Sequence, residues 1–175
     1  MTSDGSFDLD DRLMTNTSSI TIPTGTITDF DFLVGTWNVE NHRLRERGVG
    51  SDQWDEFPAT MTLVQRLDGV VNVDQIDFPT KGFSGLTLRS FDLEQHRWSI
   101  YWVNSERGVL DPPVHGGFAG DDGVFYGDDV DNGTPVHVVF NWTRIDADHA
   151  RWQQSFSIDG ETWETNWVME MSRAA

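Results

Sequence analysis

The feature that most constrains this chain is a succession of short β-type runs joined by tight-turn sequences from residue 30 onward. Within a run, apolar and polar residues alternate, as in WNVEN at 37–41, so one face of a strand would be buried and the other solvated. Turn sequences such as Asp121-Asp122-Gly123, Asp131-Asn132-Gly133 and Asp159-Gly160 separate the runs, and their residues tolerate the positive φ of hairpin turns. This pattern predicts an antiparallel meander.

The runs number about ten, and no segment of useful length with helical periodicity interrupts them. Their bounds are 37–41, 57–67, 70–78, 83–91, 97–104, 114–119, 124–130, 135–145, 150–158 and 163–172. An open sheet of this width would leave two unpaired edges, and closure removes both. We therefore predict an all-β, antiparallel up-and-down barrel of about eight to ten strands, with a β-sandwich as the second possibility. A short helical turn is expected at 30–34.

The first 28 residues differ in composition: they are rich in Ser, Thr, Asp and Gly and show no sustained hydrophobic periodicity. They predict a flexible N-terminal tail over residues 1–28, followed by one barrel domain over residues 29–175. A domain of this length can bury a core without disulfides or metal. The chain contains no cysteine, which excludes disulfides, thiolate metal sites and a catalytic thiol.

The formal net charge of -17 argues against two classes of partner. Nucleic acid and anionic membrane surfaces both require Lys and Arg to meet their phosphates, so neither is expected. No segment has the length and apolarity of a membrane helix, and the first residues, MTSDGSFDLDD, lack a signal pattern. We expect a cytoplasmic bacterial protein that is a monomer or a homodimer.

Gly35-Thr36-Trp37 stands where the first strand would begin. A glycine lets the chain turn tightly into the strand, and the indole two residues later can seal one end of a barrel. If the last strand pairs with the first, Arg173 comes to lie beside Trp37. Its guanidinium can then stack on the indole ring.

Three segments carry a resemblance to a known superfamily: FDFLVGTWNV at 30–39, LRSFDLEQHRWSIYWVNS at 88–105 and DGETWETNWVMEMSR at 159–173. With the G-x-W motif and the terminal basic residue, they resemble the calycin superfamily, which includes lipocalins and fatty-acid-binding proteins. They are most similar to an uncharacterised bacterial lipocalin-like family. The resemblance spans most of residues 30–173 and implies a barrel that takes a small, mostly apolar molecule. It implies no catalytic residue, and calycin barrels serve many functions.

Large aromatic rings are abundant, with 8 Trp and 11 Phe. Strand alternation gathers rings, methionines and aliphatic side chains on one inner surface, which would form either a filled core or an aromatic-lined cavity. The inward-facing set is Trp37, Val39, Met61, Leu63, Ile100, Trp102, Phe140, Trp142, Trp152, Phe156, Trp167 and Met169. The predicted ligand is a small hydrophobic molecule, aromatic or polyketide- or isoprenoid-like, beneath a lid formed by residues 105–113.

The candidate ligand-binding residues combine members of this inward-facing set with amide side chains at inward-facing positions of the same strands. They are Asn41, Met61, Trp102, Asn104, Phe140, Trp142, Trp152, Gln154, Trp167 and Met169. On the fourth run, the alternation of Leu86 and Leu88 with Thr87 and Arg89 favours leucines inside and a solvated arginine.

Two alternative functions use the same cavity. An enzyme (an isomerase, cyclase or hydratase) would need one acid–base group, and the candidates are His115, His137, Asp74, Asp77 and Tyr101. The two carboxylates lie in an otherwise apolar run whose parity is ambiguous. A haem-binding barrel would use His137 or His115 as the axial ligand. No other cofactor and no metal are predicted, because the sequence has neither zinc-ligand spacing nor a calcium loop.

Overall fold

The computed structural model describes residues 20–175, so residues 1–19 of the predicted tail lie outside the described residues. A 3-10 helix, Asp31–Leu33, precedes the strands at the expected place, and a second, Leu67–Gly69, connects the second strand to the third. The strands are β1 (Gly35–Leu44), β2 (Trp54–Arg66), β3 (Val71–Phe78), β4 (Phe83–Asp92), β5 (Arg97–Asn104), β6 (Val114–Ala119), β7 (Asp122–Asp131), β8 (Thr134–Arg144), β9 (His149–Ser157) and β10 (Glu164–Arg173).

Every strand pairs antiparallel with its neighbours in the chain, and β10 pairs with β1 to close the sheet. In that closing pair Trp37 lies opposite Arg173, and Asn41 lies opposite Met169. The predicted all-β up-and-down barrel is confirmed, with ten strands, and the sandwich alternative is wrong. A closed antiparallel barrel of this kind is compatible with a calycin-like fold.

The turn sequences act as predicted in two of three cases. Asn132 and Gly133 adopt φ of 49° and 84° between β7 and β8, and Gly160 adopts 76° in the β9–β10 turn. Asp159 organises that second turn by accepting hydrogen bonds from the backbone N–H groups of Glu161 and Thr162, which hold the pKa of its carboxyl well below the usual range. The β6–β7 turn differs, because Gly123 already belongs to β7 and the positive φ falls at Gly120.

One end of the barrel is sealed by Trp37, whose side chain is fully buried. Its indole Nε1 donates a hydrogen bond to the carbonyl of Leu33, 2.9 Å away in the first 3-10 helix. The Arg173 guanidinium lies 4.3 Å from the centre of the indole ring and donates to the carbonyls of Phe32 and Val34. The predicted stack of Trp37 and Arg173 is confirmed, and it joins the first strand, the last strand and the preceding helix.

The half of the barrel nearest this seal is filled by aromatic rings around Phe30. The rings of Trp98, Phe118, Phe125 and Trp142 have centres 5.2–5.8 Å from that of Phe30, three of them edge to face. This half is an ordinary close-packed core.

Chain segment 24–28, which the sequence assigns to the tail, packs against the same end. The indole Nε1 of Trp98 donates to the carbonyl of Thr26 at 2.9 Å, and the N–H of Gly25 donates to the carbonyl of His96 at 2.8 Å. A Cβ on Gly117 would lie 2.5 Å from the Gly25 nitrogen, so the two backbones approach too closely for any larger residue there. Residues 25 and 26 therefore contact the barrel directly.

Replacing Arg173 with Ala tests the closure. The substitution removes the cation over Trp37 and the donors to the carbonyls of Phe32 and Val34, so we expect the free energy of unfolding to fall by about 2–3 kcal/mol. Urea denaturation followed by circular dichroism measures this change. Arg66→Ala is the matched control, because Arg66 is exposed and, among residues 20–175, its side chain donates a hydrogen bond only to the carbonyl of neighbouring Gln65. Equal stability of the two variants would contradict the role of Arg173 in closure.

Candidate functional site

The other half of the barrel, toward the loops that follow β1, β3, β5, β7 and β9, encloses a cavity of about 200 Å³. Nine of the ten candidate ligand-binding residues line it: Met61, Trp102, Asn104, Phe140, Trp142, Trp152, Gln154, Trp167 and Met169. Period-two alternation of each strand brings them to one surface. Their place in the wall agrees with the sequence pattern, and their role in binding stays a prediction.

The aromatic wall consists of rings that meet edge to face. The ring centres of Trp152 and Trp167 are 5.7 Å apart at 80°, and Trp102 lies 6.4 Å from Trp167 at 89°. Phe140 packs on Trp152 with centres 4.9 Å apart. Gly85 on β4 makes room for the Trp102 ring, since a Cβ there would overlap the indole. The wall therefore presents rings in perpendicular orientations.

Asn41, the tenth candidate, lies behind the wall and is fully buried. Its Oδ1 accepts a hydrogen bond from Trp167 Nε1 at 3.0 Å, and its Nδ2 donates to the carbonyl of Phe57 at 3.1 Å. Asn41 thus fixes the orientation of a cavity ring and is not among the cavity-lining residues.

The cavity contains a buried ion pair that the sequence did not predict. Arg89 Nη1 lies 2.6 Å from Asp74 Oδ2 and donates a hydrogen bond to Asn72 Oδ1 at 3.1 Å. Asp74 and Arg89 both line the cavity and are almost fully buried. The expectation that Arg89 is solvated is wrong: Thr87 and Arg89 face inward, and Leu86 and Leu88, which alternate with them, face outward. The carboxylate on neighbouring β3 compensates the charge that burial would otherwise penalise.

The other four acid–base candidates lie outside the cavity. His137 is exposed and pairs with Asp128 at 2.7 Å, while Asp77 is exposed and accepts hydrogen bonds from Ser84 and Gln75 that lower its pKa. Half-buried Tyr101 alternates with two cavity-lining neighbours, so its side chain belongs to the outer face.

His115 is half-buried and also lies outside the cavity-lining set, with Nδ1 2.9 Å from Ser99 Oγ. Burial, followed by the nearby charge of Arg97, lowers the pKa of His115. His115 lies between cavity-facing Val114 and buried Gly116, so neither His115 nor His137 lines the cavity.

The mouth of the cavity carries paired charges and one stacked arginine. Arg47 makes a bidentate salt bridge with Asp131, with Nη2 2.6 Å from Oδ1 and Nε 3.0 Å from Oδ2. Arg107 pairs with Asp111 at 3.2 Å. Arg43 lies 4.4 Å above the Trp167 ring. The sequence reasoning missed Arg43, although the inward alternation of Trp37, Val39 and Asn41 continues to it.

The predicted lid, residues 105–113, covers a gap in the wall at this mouth. β5 and β6 pair only from Trp98 to Ile100, so the rest of β5 has no partner on β6. The connecting segment fills that place: the N–H of Asp111 donates to the carbonyl of Trp102 at 2.8 Å, and Arg107, Asp111 and Pro112 line the cavity.

Within residues 20–175, no cluster of three or more His, Cys, Asp or Glu side chains could hold a metal ion. None of the helices in that part of the chain has the length and apolarity needed to cross a membrane. Compared with protein-family models and with curated proteins, the chain matches none.

A double-mutant cycle tests the buried ion pair. Either Asp74→Asn or Arg89→Met alone leaves one buried charge without a partner. We therefore expect each variant to lower the free energy of unfolding by about 3–5 kcal/mol. The double variant removes both charges and is expected to cost much less than the sum of the single changes. Urea unfolding of the four proteins measures the coupling, and additive losses would contradict a compensated pair.

Proposed function

We propose that this protein binds one small, mostly apolar molecule with an aromatic ring inside the barrel. The single observation that carries this proposal is the unfilled volume of about 200 Å³ bordered by Trp102, Trp142, Trp152 and Trp167. Small-molecule sites are concave and combine apolar and aromatic side chains with polar groups that orient the ligand. Here the rings share the wall with the Asp74–Arg89 pair and with charged residues at the mouth.

A packing argument supports a ligand over a simple core. Protein interiors are close-packed, and an unfilled cavity costs stability on the order of a few kcal/mol. The half of the barrel around Phe30 shows that this chain can fill its interior with rings. The cavity that remains in the other half therefore supports the proposal that a ligand occupies it.

Size and geometry narrow the class of ligand. Apolar cavities of roughly 150 Å³ accept a single benzene ring, so the space here suits one ring or two fused rings with a small substituent. The perpendicular indoles of Trp152 and Trp167 offer both an edge and a face to such a ring, and each favourable pair contributes about 0.5–1.5 kcal/mol. The aromatic members of the predicted ligand class fit this space better than a long isoprenoid.

A second candidate function is catalysis in the same cavity, favoured by the position of Asp74. It alone of the five acid–base candidates lines the cavity, next to Arg89. An isomerase, cyclase or hydratase could use this carboxylate to accept or return a proton.

Native mass spectrometry of the purified protein, followed by incubation with any molecule that co-elutes, separates the two functions. A binding protein releases the molecule with its mass and structure unchanged. An enzyme converts it, and Asp74→Asn abolishes the conversion while the bound mass is still detected.

Filling the cavity tests the binding proposal. Val138 lines the cavity, so Val138→Phe places a ring in the space, and we expect naphthamide, a neutral two-ring amide, to bind at least about tenfold more weakly. The free energy of unfolding should fall by less than about 1 kcal/mol, because the added ring occupies existing space. Isothermal titration calorimetry measures the affinity.

Val64→Phe is the matched control, since Val64 is 38% exposed and lies outside the cavity wall. It should leave naphthamide binding unchanged. Equal naphthamide binding by wild-type protein and Val138→Phe would contradict the proposed site.

A further inference from the structure

Arg43 occupies a special position at the mouth of the cavity. It continues the inward-facing positions of β1 and lies opposite Trp167 of β10. Its side chain lines both the interior cavity and an adjoining outer groove formed with residues that include Arg45, Phe57 and Lys81. A group bound by Arg43 would therefore lie at the boundary between the barrel interior and solvent.

The other arginines of the cavity wall are already compensated. Arg89 contacts Asp74, Arg47 contacts Asp131, and Arg107 contacts Asp111. Within the described chain, no carboxylate lies within ion-pair distance of Arg43. The chain has 29 acidic residues, so the lack of a partner does not follow from a shortage of carboxylates.

The Arg43 guanidinium is only partly buried. Burial, followed by the like charge of Arg47, lowers the pKa of this guanidinium, and the charges of Asp131 and Glu106 act in the opposite direction. No Arg43 nitrogen is among the fully buried polar side-chain atoms of residues 20–175 that lack a hydrogen-bond partner. Its N–H donors therefore stay open to solvent at the mouth, where an anion can reach them.

The guanidinium is also held in a defined orientation. It stacks 4.4 Å above the Trp167 ring, and Asn41 fixes that ring through the indole nitrogen. A stacked guanidinium keeps its edge free, and its planar fork of N–H donors matches a carboxylate with two parallel hydrogen bonds. The same indole belongs to the cavity wall, so the fork and the apolar site are adjacent.

We propose that Arg43 binds the carboxylate of an aromatic acid whose ring lies in the cavity. This inference rests on the proposed binding function and names the ligand class: a small aromatic carboxylate with its ring inside and its anionic group at the mouth. Arg43 is then the residue that selects this class, because the net charge of -17 otherwise repels anions.

The test compares naphthoate with its neutral counterpart naphthamide by isothermal titration calorimetry. The two compounds share the fused ring system and differ in the charge of the substituent. We expect wild-type protein to bind naphthoate more tightly. Arg43→Gln should weaken naphthoate at least about tenfold, the loss of one charge-assisted pair, and leave naphthamide within about twofold. Arg43→Lys, which keeps the charge without the fork, should fall between.

Arg45→Gln supplies the matched control, because it removes the same charge from an exposed position two residues away. It should leave both affinities within about twofold. Naphthoate that binds wild-type protein no better than naphthamide, or an equal loss in the Arg43 and Arg45 variants, would overturn the inference while naphthamide binding still supports the cavity. If neither compound binds wild-type protein, the proposed function itself fails.

Discussion

The structure depends on the closing pair of β10 with β1. Closure into ten strands removes both sheet edges, but it also sets a diameter, since the width of a barrel grows with its number of strands. Eight strands already leave an interior just wide enough for side chains or one small ligand, so ten leave more space than side chains of ordinary size fill. The chain fills one half with Phe30 and its ring neighbours, held by Trp37 and Arg173, and leaves the other half hollow.

The buried ion pair lies between these two halves. Arg89 is 4.8 Å above the Phe30 ring of the filled core, while it and Asp74 also line the cavity. A charge pair in this place gives the floor of the cavity a fixed dipole at the boundary with the packed rings, and Trp142 belongs to both sides of that boundary. Polarity then increases again at the mouth, where Arg43 has no carboxylate partner within the described residues. The barrel interior thus passes from apolar core to ion pair to aromatic wall to charged rim.

Much of the fold follows from sequence alone because its signals are local. Period-two alternation and the Asn132-Gly133 turn act over a few residues, and G-x-W with a terminal arginine indicates closure. The burial of Arg89 escaped prediction for a different reason. Whether Arg89 can be buried depends on Asp74 of the next strand, and that register appears only in three dimensions. The apolar rule alone placed the leucines inside. The cavity volume was also beyond prediction, since alternation gives the facing of a side chain and not the space it leaves.

The most direct test of a hollow, aromatic-walled half is a crystal structure of the protein grown with naphthoate. We expect ring density inside the barrel, in van der Waals contact with Trp102, Trp152 and Trp167, with the closing β1–β10 pair intact. Density confined to the outer surface, or indoles that collapse together and leave no interior space, would contradict it.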